Sequence, residues 1–310
     1  MTNTYLDERT ARDIDQRVGR IHRDLAYVDG MVSLADVRQL LRLDLHYYSA
    51  DDPSLVAEVV HKLKVGAKQV IQRPTLLLEA VRKLDLKALF VPDRKQILID
   101  CALPDLKKRW SEGHEVAHSL IPWHADYLLG DDRATLSPAC HERIEAEANY
   151  GAGRLLFPIE PFSELRRSSQ ISLARVREIA KHFGNTITST LWRCVEAAET
   201  PSFGVIGGHP HRLGDERAVV EHLIRSRAFA ESFSGFSDAA AGAILRQYCS
   251  YRSSGPLGAD EVAIRDDGGI EHLFNTESLG TRHSVLTLAQ YVGPKPAQIT
   301  VVNGASIVGP

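Results

Sequence analysis

Apolar positions along this chain recur with two periods, and the elements follow from which period holds. Over 104–122, Leu106, Trp110, Val116, Ala117 and Leu120 recur at helical spacing, and the spacing predicts a buried stripe on a helix that starts at Pro104-Asp105 and is stopped by Pro122. Over 137–158, Ser137 is a good N-cap, Pro138 suits the first helical position and Pro158 closes the helix. Ile144, Ala148 and Leu155 mark one face of that helix, and Glu145, Asn149 and Ala152 an adjacent one. Gly151 and Gly153 each cost about 1 kcal/mol of helix propensity, which implies close packing of a neighbour in compensation. Leu86–Phe90 and Gln96–Asp100 are short apolar runs around Pro92-Asp93-Arg94, the pattern of a hairpin.

Elsewhere the pattern predicts a frayed helix in the charged first 30 residues and a helix over 34–48 capped by Ser33. Helices are expected at 54–65 and 74–84. Residues 171–198 read as a helix to Phe183, a turn at Gly184-Asn185 and a helix from Thr188, the outline of a helix-turn-helix. Composition breaks at Thr200-Pro201-Ser202. Beyond it we expect strands at 203–206, 285–292 and 298–302, helices at 215–228 and 237–251, a loop at 253–259 and a hairpin turn at Asp266-Asp267-Gly268-Gly269.

The candidate chemistry lies on the first of the two well-marked helices. His114-Glu115-Val116-Ala117-His118 is an H-E-x-x-H, and residues four apart share a helix face. The two imidazoles can therefore aim at one metal ion, with Glu115 beside them to take a proton from water on that ion. A catalytic zinc needs a third protein ligand, and Glu145 on the second helix is the candidate. Asn149, one turn on, is placed to hydrogen-bond a ligand. The plainer reading of Glu142, Glu145 and Glu147 is a solvated acidic face, and for Glu142 it is preferred. A donor for the tetrahedral oxyanion is also needed. The segment from Pro122 to Leu136, read as a loop, offers His124 and Tyr127, and the second helix offers His141 and Tyr150. For each of them the plainer reading, an ordinary surface or packing residue, is preferred.

H-E-V-A-H followed by E-A-E-A-N-Y-G-A-G-R-L-L-F-P resembles the ImmA/IrrE family of metallopeptidases. That family pairs H-E-x-x-H with a second helix of the form E-x-x-A-N-x-x-A-x-x-L-L-x-P. Glu145, Ala148, Asn149, Ala152, Leu155, Leu156 and Pro158 fall on that pattern. Gly151 departs from it, where a Phe is common, and so does Trp110-Ser111-Glu112-Gly113 before the first His. The resemblance covers residues 75–195 well and the flanks poorly. It implies an α+β fold: a mostly helical zincin-like metallopeptidase domain with a small sheet, a helix-turn-helix-like segment and a C-terminal α/β domain with a sensor-like role. It further implies zinc-dependent cleavage of a helix-turn-helix repressor, which releases stress or mobile-element genes, with an edge strand of the sheet holding the substrate. The alternative is a catalytically silent regulator that binds DNA or a partner protein through the helical segment. Expected regions are 1–70 (helical), 71–160 (metallopeptidase core), 161–200 (helix-turn-helix-like) and 201–310 (α/β).

Charge and cysteines change the picture little. A net charge of −3 gives no reason to expect direct nucleic-acid binding, and Thr188, Ser189, Thr190 and Arg193 on the would-be recognition helix bring few cations for phosphates. Lys62, Lys64 and Lys68 read as a solvated basic face. Cys101, Cys140, Cys194 and Cys249 are scattered without a C-x-x-C, as reduced thiols of a cytoplasmic protein are. No apolar run approaches a membrane span, so no membrane partner is expected. The metal expected is zinc, with manganese or iron also suited to a His₂Glu set. His209 and His211 read as a solvated loop rather than a second metal site.

Overall fold

The structure is a computed structural model and describes residues 3–49, 88–129, 138–167, 171–212 and 218–296, without the side chains of Asp93, 126–129 and 138–141. The fold is α+β. Two compact units divide at Cys194/Val195: Thr4–Cys194, and Val195–Pro310 together with Met1–Asn3. The helices expected at 54–65 and 74–84, the strand at 298–302 and the lysines 62, 64 and 68 lie outside the described residues.

The N-terminal charged stretch is a packed helix rather than a frayed one. α1 (Glu8–Asp24) is capped by the Asp7 carboxylate, which accepts from Thr10 N at 3.0 Å, and buries Ile14, Val18 and Ile21 at helical spacing. α2 (Leu34–Leu41) starts at the expected cap, where Ser33 Oγ accepts from Asp36 N at 3.3 Å. It does not run to residue 48. Arg42 adopts a left-handed conformation (φ 56°) that ends the helix, and Asp44–Tyr48 becomes β1. β1 pairs in parallel with β3 (Gln96–Asp100), which pairs antiparallel with β2 (Ala88–Val91). The order is β1-β3-β2, and the expected hairpin turn is a 3₁₀ turn at Pro92–Arg94. Ile97 and Ile99 alternate inward from the central strand and are fully buried.

α3 (Asp105–Leu120) packs against this sheet, and its inner face departs from the expected apolar stripe. Leu106 is 49% exposed, whereas Glu112, Gly113, Glu115, Val116, Ala117 and His118 are buried. Glu112 is paired at 2.6 Å with Arg38 of α2. The segment read as a loop after Pro122 is helical: α4 (Pro122–Leu129) begins on the proline, which needs no N–H at a first helical position. α5 (Pro138–Leu156) crosses α3 closely. A Cβ built on Gly151 would stand 2.9 Å from Ala117 Cβ, so the compensation for that glycine is backbone approach to the H-E-x-x-H helix. Gly153 has no such neighbour, its nearest atom being Arg193 Cδ at 3.8 Å.

α6 (Ile159–Arg167), α7 (Leu173–Phe183) and α8 (Ile187–Glu196) complete this part of the chain. Gly184 (φ 64°) caps α7 and makes the expected turn. Asn185 is buried, donates to Leu156 O at 3.0 Å and accepts from Arg109 Nε at 3.2 Å, which ties the turn to the ends of α5 and α3. No residue of α8 is exposed, and Thr190 and Arg193 are buried. A major-groove reading helix needs those side chains in solvent.

The C-terminal unit holds a sheet of order β5-β4-β8-β7-β6, made of β4 (Ser202–Gly207), β5 (His222–Arg225), β6 (Gly255–Arg265), β7 (Glu271–Gly280) and β8 (Val285–Pro294). Each neighbouring pair is antiparallel. α9 (Arg227–Ser232) and α10 (Asp238–Tyr248) pack with it around Phe203, Phe229, Phe233, Phe236 and Phe274. The hairpin turn at 266–269 is present, closed by Gly269 N donating to Asp266 O at 3.0 Å. Three readings are corrected. The helix expected at 215–228 is β5 followed by α9, and the loop expected at 253–259 is the start of β6. The Gly/Pro-rich start of β6 carries a register shift between Pro256 and Gly258, where a Cβ on Gly258 would meet Tyr248 O at 2.6 Å. His209 and His211 are not in a solvated loop: His209 is buried with Nε2 2.8 Å from Arg252 O, and His211 Nε2 lies 3.0 Å from Cys249 O.

Candidate metal centre

α3 and α5 cross so that three side chains converge. His114 and His118, four residues apart on α3, bring their Nε2 atoms to 3.2 Å. Glu145 of α5 places Oε2 3.2 Å from His114 Nε2 and Oε1 3.7 Å from His118 Nε2. All three ligand atoms lie within 4.8 Å of one another, the grouping a tetrahedral divalent metal takes. The ring nitrogens that face away from this point are engaged: His114 Nδ1 lies 3.1 Å from Asn149 Oδ1, and His118 Nδ1 lies 2.9 Å from His124 Nδ1. Asn149 accepts, so His114 carries its proton on Nδ1 and turns a lone pair inward. Two imidazoles and a carboxylate aimed at one point suit a cation. In its absence burial disfavours a charged His114, but Glu145 and Glu115 outweigh that and raise its pKa.

Glu115 lies on the same helix, near enough to the backbone N–H of Phe90 in β2 for that dipole to favour its charged form. It is 6% exposed, and burial pushes its pKa up to about 7, with Glu145 adding to the rise and His114 and Phe90 N–H opposing it. A carboxyl poised near neutral pH can take a proton and return it.

Against known proteins, residues 56–194 match the Peptidase_M78 model, described as the IrrE N-terminal-like domain. This chain carries an IrrE N-terminal-like domain. Its fold is similar to that of a Mycobacterium tuberculosis transcriptional regulator, at a TM-score of 0.50 and 13% identity over 90% of this chain and 88% of that one. No curated protein sequence matches the chain.

Within the IrrE-like domain the remaining site candidates take different places. His124 does not face the metal group from solvent. It is fully buried on α4 behind His118, with Nε2 3.0 Å from Glu147 Oε2. Tyr150 turns toward α1, where its hydroxyl donates to Asp15 at 3.1 Å and accepts from Arg154 at 2.7 Å. The side chains of Tyr127 and His141 lie outside the described residues. Glu142 is exposed, as expected of a solvated face, and Asn149 is exposed beside His114. Glu147, grouped in the sequence with that acidic face, is instead buried on α5 and bonded to Trp123 Nε1 (2.5 Å), His124 and Arg143 Nε (2.8 Å). Burial opposes its ionisation, but these three donors hold its pKa below the usual range. The signal was present: Glu147 falls three residues after buried Ile144 and four before Gly151, on the packed face.

Proposed function

We propose that this protein is a zinc-dependent endopeptidase that cleaves a helix-turn-helix transcriptional repressor and so releases stress-response or mobile-element genes. The observation that carries the reading is the convergence of His114, His118 and Glu145 with Glu115 buried at their side. A binding module has no need of a general base between two such histidines. His114, His118 and Glu145 would hold the metal, with Asn149 orienting His114. The metal, once bound, supplies Lewis-acid polarisation of a peptide carbonyl and lowers the pKa of water. Glu115 is the proton acceptor, buried on α3 near the Phe90 N–H of β2. Among the described strands β2 lies at an edge of its sheet, open to an extended substrate strand laid beside Glu115. Manganese or iron would suit the same ligands. The alternative is a silent regulator that binds DNA or a partner protein through the helical segment; against DNA reading stands the lack of any exposed residue on α8, with Thr190 and Arg193 buried.

The test is incubation of the full-length protein with a helix-turn-helix regulator encoded beside its gene, with added zinc or with a chelator. Cleavage should need metal and should fall at least ~10²-fold in Glu115→Gln. Cleavage at the wild-type rate by Glu115→Gln would remove Glu115 from the chemistry.

A further inference from the structure

His124 and Glu147 stand behind His118, on its far side from the metal group, and the function proposed above gives them no part. Their side chains are 0% and 1% exposed. Glu147 receives Trp123 Nε1 and His124 Nε2 on one oxygen and Arg143 Nε on the other. A carboxylate among donors only accepts, so His124 carries a proton on Nε2. In the neutral ring Nδ1 then has a lone pair. That lone pair faces His118 Nδ1 across 2.9 Å, so the proton between them belongs to His118. His118 is left with an unprotonated Nε2, the atom that faces His114 and Glu145.

We propose that Glu147 and His124 are positioning residues that lock His118 in its Nδ1–H tautomer and so preset Nε2 as a ligand. This rests on reading His114, His118 and Glu145 as a metal centre. The polarity matters because the opposite one places a proton on Nε2, where it must leave before any metal binds. His114 is oriented differently, by the amide of an exposed asparagine that can accept but belongs to no buried chain of bonds. The competing account is that Glu147 only fastens α4 to α5, since Trp123 and His124 on α4 both bond to it.

The full-length protein separates the two accounts through Glu147→Gln, His124→Leu, His124→Asn and the double variant Glu147→Gln/His124→Asn. Asn at 124 keeps an acceptor oxygen near the place of Nδ1. Gln at 147 can offer an N–H to His124 and removes the obligate acceptor. The readouts are zinc affinity by competition with a chromophoric chelator, the His118 ring ¹⁵N shifts of the metal-free protein, and the melting of each metal-free variant. Glu147→Gln and His124→Leu should lose zinc affinity by roughly 10–100-fold, the scale of outer-shell substitutions. His124→Asn should stay close to wild type, and Glu147→Gln should add nothing to it, because Glu147 acts through the imidazole it no longer has. Wild-type His118 should show the Nδ1–H tautomer. The proposal is overturned by an Nε2–H tautomer, by variants that melt lower yet bind zinc as wild type does, or by equal losses for Glu147→Gln with and without His124. A wild-type protein that takes no zinc would instead sink the metal-centre reading itself.

Discussion

Replacing Glu115 by Gln should stabilise the metal-free protein at neutral and alkaline pH while slowing its chemistry at least ~10²-fold. Glu115 is 6% exposed, and burial lifts its pKa from 4.5 to about 7. The folded chain therefore holds the proton more tightly than the unfolded chain. Below the unfolded value both states are protonated and the group costs nothing. Between 4.5 and about 7 the unfolded chain ionises while the folded chain still holds its proton, so stability is lost across that window and the loss is complete above it. The difference in pKa corresponds to about 3 kcal/mol, at ~1.4 kcal/mol for each tenfold change in ionisation. A neutral amide of the same shape avoids that cost. With roughly 2–4 °C per kcal/mol for a unit of this size, metal-free Glu115→Gln should melt about 6–12 °C above wild type near pH 8 and level with it near pH 4. Melts of chelator-treated full-length protein at both pH values decide the matter. Zinc should narrow the gap near pH 8, because a cation beside the carboxylate favours its charged form. A variant no more stable than wild type near pH 8, or a gap that is the same at both pH values, would refute the reasoning.

Gly151→Ala pushes a methyl to 2.9 Å from Ala117 Cβ. Overpacking of about 1–3 kcal/mol should exceed the ~1 kcal/mol gained in helix propensity, so urea unfolding should show a net loss, with weakened zinc binding. Gly153→Ala meets nothing closer than Arg193 Cδ at 3.8 Å and should gain about 0.5–1 kcal/mol in the same assay. We further propose that residues 201–310 form a separate module that gates or senses. A fragment of residues 4–194 should then unfold cooperatively and keep its metal, whereas an insoluble fragment beside a soluble full-length chain would argue against the boundary.

What could be read from the sequence was what local pattern decides. The H-E-x-x-H helix, the second helix between its prolines, the strands around Pro92-Asp93-Arg94 and the Gly184-Asn185 turn all carry their own caps, breakers or periods. The features that escaped are settled by partners distant in sequence. Leu43-Asp44-Leu45-His46-Tyr47-Tyr48 satisfies a helical pattern, and only its parallel pairing with Gln96–Asp100 makes it a strand. Pro122 was read as a stop, yet the same residue opens the helix that carries His124. Glu112, Glu115 and Glu147 are buried acidic groups, which apolar periodicity cannot anticipate: an arginine meets Glu112 and a set of donors meets Glu147, whereas burial pushes the pKa of Glu115 up to about 7. In the C-terminal unit, Gly-Pro-Leu-Gly at 255–258 has the composition of a loop but lies in the edge strand β6, beside Leu279 and Gly280 of its neighbour.

The central claim is that His114, His118 and Glu145 hold one metal ion, and the metal content of the purified full-length protein tests it most directly. Elemental analysis after gel filtration in zinc-containing buffer should find one equivalent of zinc per chain in the wild type and in Glu115→Gln, and essentially none in the double variant His114→Ala/His118→Ala. Full zinc occupancy in that double variant, or a wild-type protein that retains none, would contradict the account.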